Sequence, residues 1–356
     1  MRERPASGTT SPDGSAFPAR AGPIVSRRRL VALAIELLAI YVLWPFLVAV
    51  YSSFGGLSSL NPAWFVVMVM LEIASFAWMW ALIAICLRST RWFLIGTTQV
   101  VGNAVGLVVP GGNPVGTATQ IHLLVSGGLD PARASTGVVA AGLVNLATLF
   151  ALPVLAVPAI LSGVAVNPGL ERAAWLGAGA FVVLTAVLAV MLLADRPVAS
   201  VGRGVQGLRN LVARRSPPLT GLPERLSTER TQIRTALRAR WGQAIVASAC
   251  NWLFDYLALL ASLAAVGADA NPAAVLLAYT AAIWLAMVPV TPGGIGFVEA
   301  GLLGMLMLSG VAGPQATLAT LAYRLVAYVG AVLAGFPTYW WYRRRLGTTA
   351  LAARRP

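Results

Sequence analysis

The chain has 356 residues, of which 58% are hydrophobic and 11% are charged, and its mean hydropathy is +0.77. These values exclude a soluble globular protein and indicate an integral membrane protein. The net charge of +14 comes from 26 arginines without any lysine. Because the arginines cluster outside the apolar segments, membrane topology and anionic lipid explain them better than a nucleic-acid partner. One histidine and two cysteines in separate apolar segments indicate neither a metal site nor a disulfide framework, and no cofactor is expected.

In chain order, residues 1–29 are rich in Pro, Gly, Ser, Ala and Arg, which predicts a disordered segment. Residues 30–345 predict one membrane domain, and residues 346–356 form a polar tail. Six apolar runs are long enough to cross a bilayer as helices: 30–51, 62–87, 131–161, 173–194, 241–266 and 314–342. Residues 195–240 carry ten arginines and three acids, with apolar residues at roughly helical spacing, which is typical of an amphipathic helix on the membrane surface.

Two glycine-rich stretches interrupt the apolar sequence and resemble each other. The first is Val-Pro-Gly-Gly-Asn-Pro-Val-Gly at 109–116, and Thr-Pro-Gly-Gly-Ile-Gly-Phe at 291–297 follows it by 182 residues. Further on, Ser-Gly-Gly at 126–128 is matched by Ser-Gly-Val at 309–311, an offset of 183. Irregular backbone at membrane depth is tolerated only where protein or water surrounds it. A matched pair of such breaks indicates the binding site of a transporter.

The arms that follow the breaks are short. As helices, 115–127 and 297–309 rise only about 20 Å, less than the roughly 30 Å of a hydrocarbon core. We therefore predict an all-α polytopic membrane protein with about six spanning helices and two re-entrant helical hairpins; eight spanning helices are the alternative. With both termini in the cytoplasm, 24 of the 26 arginines are cytoplasmic, as the positive-inside rule requires. The hairpins then enter from opposite sides, and residues 62–161 and 241–342 form an inverted repeat.

The residues around the two breaks are the first candidates for a binding site. Each Pro-Gly-Gly precedes a half-helix whose free N–H groups and positive dipole end suit a lipid phosphate, and a tight turn without a ligand is the alternative. The candidates are Pro110, Gly111, Gly112, Asn113, Thr117, Gln120, Pro292, Gly293, Gly294 and Gly296.

Other polar residues lie on the arms of the first break. Gln99 and Asn103 share a helical face, and Thr117, Gln120 and His122 lie on the returning arm. They either line a polar cavity or make hydrogen bonds between helices.

Charged residues inside the predicted repeat are a second set of candidates, because a charge in a spanning helix is costly and marks function by default. Glu72 and Asp255 are equivalent at the offset of 183. They either accept protons that drive transport, bind a cationic head group, or are merely paired or near a membrane interface. Glu299 and Arg324 are each costly alone, so an ion pair between them is plausible, either structural or able to open and let Arg324 hold a phosphate.

These stretches resemble a known family. Residues 288–300, VPVTPGGIGFVEA, and Tyr-Arg-Leu at 323–325 resemble the second signature of the lysylphosphatidylglycerol synthase/flippase membrane-region family, and 103–128 matches the first. The resemblance covers roughly residues 30–345. It implies a bacterial inner-membrane protein that moves, or helps to move, a phospholipid or lipid-linked head group between leaflets. Many relatives carry an acid and a base where this chain has Thr117 and Gln120, whereas Glu299 and Arg324 match.

The resemblance and the residues together favour a lipid flippase or transporter over an enzyme. The sequence shows no aminoacyl-transfer domain, so the synthase activity of the family is not expected. It also shows no P-loop, so movement is driven by a gradient or simply facilitated. A membrane-embedded transferase acting on a lipid phosphate and a non-transporting scaffold of a lipid-modifying complex are the alternatives. Expected partners are a membrane phospholipid or lipid-linked substrate and anionic lipid at the basic loop; a homo-oligomer, the lipid and the direction are left open.

Overall fold

The computed structural model describes residues 60–109, 112–156, 168–193, 240–286 and 296–352, with a few single residues between these ranges. All regular structure within them is helical, which confirms the all-α fold. Three predicted features lie almost entirely outside the described residues: the disordered N-terminus, the first spanning helix and the basic loop. The candidate site residues outside them are Pro110, Gly111, Pro292, Gly293 and Gly294.

The helices follow the predicted order. They are α1 (Pro62–Leu87), α2 (Trp92–Val108), α3 (Gly112–Ser126), α4 (Pro131–Ala151), α5 (Pro168–Leu193), α6 (Trp241–Ala265), α7 (Pro272–Ala286), α8 (Phe297–Leu308), α9 (Gly313–Arg324) and α10 (Ala331–Ala352). Helix α4 continues into a 3-10 turn, Leu152–Ala156, and a π-helical segment, Leu325–Gly330, joins α9 to α10. Among the described helices, four are long and apolar enough to cross a membrane: α1, α4 with its turn, α6, and the continuous helix Gly313–Arg345.

Local sequence sets the ends of the long helices. Helix α1 begins after Asn61, whose side chain accepts a hydrogen bond of 2.9 Å from the Ala63 N–H, and has proline at its first position. Helix α4 begins in the same way after Asp130, whose carboxylate accepts from the Arg133 N–H. Both patterns are strong helix-start signals, because the side chain satisfies a free donor and proline lacks the donor that would be unpaired. The starts therefore fall where the sequence predicts them.

Helices α2 and α3 form a tightly packed pair. A Cβ atom at Gly116 would lie 2.4 Å from the Gly102 carbonyl oxygen and 3.0 Å from the Gly106 Cα. Only glycine permits such a close approach of two backbones. At the far end of α3, the Gly127 carbonyl accepts a hydrogen bond of 3.1 Å from Arg91, which directly precedes α2. The pair is therefore a helical hairpin in which the start of α2 and the end of α3 lie side by side.

Helices α7 and α8 form the second pair, in which a Cβ at Gly301 would meet the Leu285 side chain. The two halves also make matching contacts where their long helices meet. In the first half, Arg133 at the start of α4 donates to the Leu87 and Arg88 carbonyls at the end of α1. In the second half, Gln315 at the start of α9 donates to the carbonyls of Val266 and Gly267 that follow α6.

Helices α1 and α6 cross in opposite directions at the centre of the molecule. Ser75 of α1 meets Asn251 of α6, and Met68, further toward the start of α1, packs near Ala261, further toward the end of α6. The first hairpin follows the end of α1 and the second follows the end of α6. Because the two helices are antiparallel, the hairpins are attached at opposite ends of this central pair.

Candidate functional site

A cavity of about 270 Å³ lies where α1 and α6 cross, between α2 and the junction of α9 with the π-helical segment. Its apolar wall includes Phe76, Met79 and Leu107. Its polar lining consists of Glu72, Ser75, Gln99, Asn103, Asn145, Asn251, Asp255, Tyr323, Arg324 and Tyr328. Charged and amide side chains are expensive within apolar helices and face one another or a wet cavity when they occur there. The cavity is therefore the strongest candidate site in the described part of the chain.

The two repeat-equivalent acids, Glu72 and Asp255, meet in this cavity. Their carboxyl groups lie close enough to interact with each other. Asp255 Oδ1 accepts a hydrogen bond of 2.9 Å from the Tyr323 hydroxyl, and Oδ2 accepts one from the Tyr279 hydroxyl. Glu72 is 8% exposed, and its Oε1 has no hydrogen-bond partner among the described residues. Each oxygen of Asp255 thus already accepts one hydrogen bond, whereas Oε1 of Glu72 accepts none from the described residues.

Arg324 forms the ion pair with Glu299 that the sequence makes plausible. Its Nε donates to Glu299 Oε1 at 2.8 Å, and its guanidinium carbon lies 4.6 Å from the centre of the Tyr328 ring. Within the described part of the chain, Arg324 Nη2 is buried and lacks a hydrogen-bond partner. The other oxygen of Glu299 accepts a hydrogen bond of 2.6 Å from the Gly296 N–H at the start of α8. One carboxylate therefore caps the second half-helix and fixes the arginine of the last spanning helix.

Neutral side chains hold the surrounding helices in register. The Asn251 amide donates to the Ser75 hydroxyl at 2.8 Å and to the Ser75 carbonyl at 3.1 Å, which ties α6 to α1. Asn145 of α4 accepts a hydrogen bond from Ser248 at its side chain and one from Trp252 at its carbonyl, both 2.9 Å. The sequence pattern distinguishes neither Asn145 nor Asn251 as a site residue. A lone amide in an apolar helix carries no signal that separates a cavity lining from a helix contact.

The polar residues of the first hairpin divide into two groups. Gln99 and Asn103 line the cavity, and Gln99 accepts a hydrogen bond of 3.0 Å from the Trp80 indole. Thr117, Gln120 and His122, on the returning arm, do not line it. Gln120 is buried against Gly102, and His122 is exposed.

The glycine-rich tips are described only in part. Gly112 has φ 58° and Gly296 has φ 80°, both in the left-handed region that favours glycine. Asn113 is exposed and, like Thr117, does not line the cavity. A phosphate-binding role for these tips therefore stays a prediction.

The first hairpin reaches the cavity at its tip. The Leu107 carbonyl, near the end of α2, accepts a hydrogen bond of 3.1 Å from the Tyr328 hydroxyl. Tyr328 lies in the π-helical segment, which begins directly after Arg324 near the middle of the 33-residue helix. Single π-helical turns inside α-helices are frequent at functional sites. The sequence contains no proline or glycine pair in this segment that would have predicted it.

Comparison with known proteins identifies the family. The family model for the lysylphosphatidylglycerol synthase TM region matches residues 29–335 of this chain. The chain belongs to this family. The match includes every residue that lines the cavity and both hairpins, and it relates the protein to membrane lipid. A comparison with curated proteins finds no match.

Proposed function

We propose that the protein moves a phospholipid or lipid-linked head group between the leaflets of the bacterial inner membrane, and that the head group binds in the cavity. The observation that carries this proposal is the convergence of Glu72, Asp255 and Arg324, from both halves, in one cavity among helices long enough to span. A head group that crosses hydrocarbon needs polar partners at that depth, whereas its acyl chains do not. Family membership supports a lipid as the substrate.

The shape of the first hairpin supports a re-entrant structure with its tip near the middle of the membrane. Helix α2 has 17 residues and rises about 25 Å, whereas the 26 residues of α1 rise about 39 Å. Both hairpin arms begin or end beside Arg91, and the tip contacts Tyr328 near the middle of a 33-residue helix. A helix pair of this length that returns to its starting level spans only part of the bilayer.

Arginine placement supports the orientation. Phe93, at the start of α2, packs edge-to-face on Trp341 of α10. Trp341 is followed by the three arginines 343–345, near the end of α10 that we assign to the cytoplasm. Arg88 and Arg91 therefore lie at the same end as these three arginines. The positive-inside rule places this end in the cytoplasm, so the first hairpin enters from the cytoplasm and the second from outside.

The cavity is asymmetric, which supports alternating access. The first hairpin lines it through Gln99, Asn103 and Leu107, whereas none of the described residues of α7 does. At the matching place in the second half, α7 packs closely through Ala281 and Ala282. In an inverted repeat, the two halves can exchange their conformations, and this exchange opens the site to the other side of the membrane. We propose that this conformation is the one that faces the cytoplasm.

The test uses purified protein in liposomes that contain a dye-labelled phospholipid and an external quencher. Arg324→Ala and Glu299→Gln each break the ion pair, so both are expected to slow movement of the dye-labelled lipid, and Glu171→Gln, an exposed acid at the start of α5, serves as the control. Size-exclusion chromatography in detergent checks that each variant is folded. Wild-type rates equal to those of empty liposomes across a panel of phospholipids would refute the proposal.

A further inference from the structure

We infer that the cavity selects a head group with one phosphate and one primary ammonium, that is, a zwitterionic phospholipid of the phosphatidylethanolamine type. This inference rests on the proposed function and names the substrate class of the same site. In the described part of the chain, two of the residues that line the cavity each have a buried atom without a hydrogen-bond partner, and these atoms belong to groups of opposite charge. They are the Oε1 atom of Glu72 and the Nη2 atom of Arg324.

The acidic side of the cavity accommodates one ammonium group. Glu72 and Asp255 lie side by side on the wall of the cavity. Both oxygens of Asp255 already accept hydrogen bonds from the hydroxyls of Tyr279 and Tyr323. Oε1 of Glu72 accepts no hydrogen bond from the described residues, so it is the acceptor that we assign to the ammonium. A second ammonium, as on a lysine-bearing head group, would meet the Asp255 oxygens, which already accept hydrogen bonds from two tyrosines.

The basic side accommodates one phosphate. Glu299 holds the guanidinium of Arg324 through Nε, and the Tyr328 ring lies 4.6 Å from its central carbon. These contacts fix the plane of the guanidinium and leave Nη2 to donate. Hydrogen bonds from arginine to phosphate are charge-assisted and favoured by this planar geometry. Because Glu299 neutralises part of the charge of Arg324, the net charge of the side chains around the cavity is negative. This net charge disfavours a phosphate that has no accompanying ammonium.

The neutral lining adds little to this discrimination, because several of its members already bond to one another. Asn251 bonds to Ser75, and the side chain of Asn145 accepts from Ser248. Glu72 and Arg324 therefore determine which head group binds. Phosphatidylglycerol offers Glu72 only neutral hydroxyl donors and brings no positive charge to balance its phosphate. Loss of the ion pair between the ammonium and the Glu72 carboxylate lowers affinity by roughly tenfold or more.

The experiment compares lipids that carry the dye on an acyl chain, so that the head group is unaltered. In proteoliposomes at equal lipid concentrations, we expect phosphatidylethanolamine to move roughly tenfold faster than phosphatidylglycerol. Glu72→Gln removes the charge but keeps the shape, so it is expected to bring this ratio close to one. Glu171→Gln, an exposed acid outside the cavity, is expected to keep the wild-type ratio.

The outcomes separate the two proposals. Movement of no lipid at all refutes the proposed function. Movement of phosphatidylglycerol or lysylphosphatidylglycerol as fast as phosphatidylethanolamine overturns the inferred selectivity and leaves lipid movement standing; this comparison needs only the wild type. An unchanged lipid ratio in folded Glu72→Gln also overturns the inference, because it shows that the charge of Glu72 does not distinguish the head groups.

Discussion

The close contact between α2 and α3 allows a specific prediction about the stability of the protein. Gly116→Ala adds a Cβ that would lie 2.4 Å from the Gly102 carbonyl oxygen, and two backbone atoms of Gly106 would lie at 3.0 and 3.1 Å. Real Cβ contacts are essentially absent below 3.0 Å, so the helices have to separate by at least 0.6 Å, the difference between 3.0 and 2.4 Å. Since every obstructing atom belongs to the backbone, no side-chain rotation relieves the clash.

The magnitude follows from two opposing effects. Overpacking of a close contact costs about 1–3 kcal/mol. Alanine in place of glycine within a helix contributes about 1 kcal/mol in the other direction. Gly142→Ala in α4 gives a matched control, because nothing lies within 4 Å of its added Cβ. We therefore expect Gly116→Ala to lower the melting temperature by a few degrees and Gly142→Ala to leave it unchanged or raise it.

The assay is thermal unfolding in one detergent, followed by intrinsic tryptophan fluorescence, with the wild type and both variants measured together. The same variants reconstituted in liposomes report whether separation of the hairpin arms also slows lipid movement. Equal melting temperatures for Gly116→Ala and Gly142→Ala would show that α2 and α3 do not approach closely at Gly102 and Gly116, and would refute the close packing of this pair.

Two further predictions concern topology and the central crossing. With Cys86 and Cys250 replaced by alanine, Asn113→Cys near the tip of the first hairpin is expected to resist a membrane-impermeant thiol reagent added outside the cell. Glu171→Cys, at the start of α5 and outside the cell in the six-helix topology, is expected to react. Equal reactivity of the two variants would favour eight spanning helices. Asn251→Ala removes two hydrogen bonds between α6 and α1, each worth about 0.6 kcal/mol inside a membrane, so the melting temperature is expected to fall by a few degrees. An unchanged value would show that these bonds do not hold the crossing together.

The sequence by itself determined the class of protein and the limits of many elements. A mean hydropathy of +0.77 requires a membrane protein, and the Asn61-Pro62 and Asp130-Pro131 starts follow from local capping. The pairing of Glu299 with Arg324 was also accessible, because each is too costly to stand alone in an apolar segment. These features depend on composition or on a few neighbouring residues.

Only the tertiary structure decided which polar residues share a site. It brought Asn251 beside Ser75, 176 residues away, and it placed Gln99 on the cavity but Gln120 against Gly102. It also brought the repeat-equivalent Glu72 and Asp255 into contact, at the point where α1 and α6 cross. Such contacts depend on the crossing point and rotation of helices that are far apart in the chain. Hydropathy and spacing encode neither, because an apolar helix presents a similar surface to lipid and to another apolar helix.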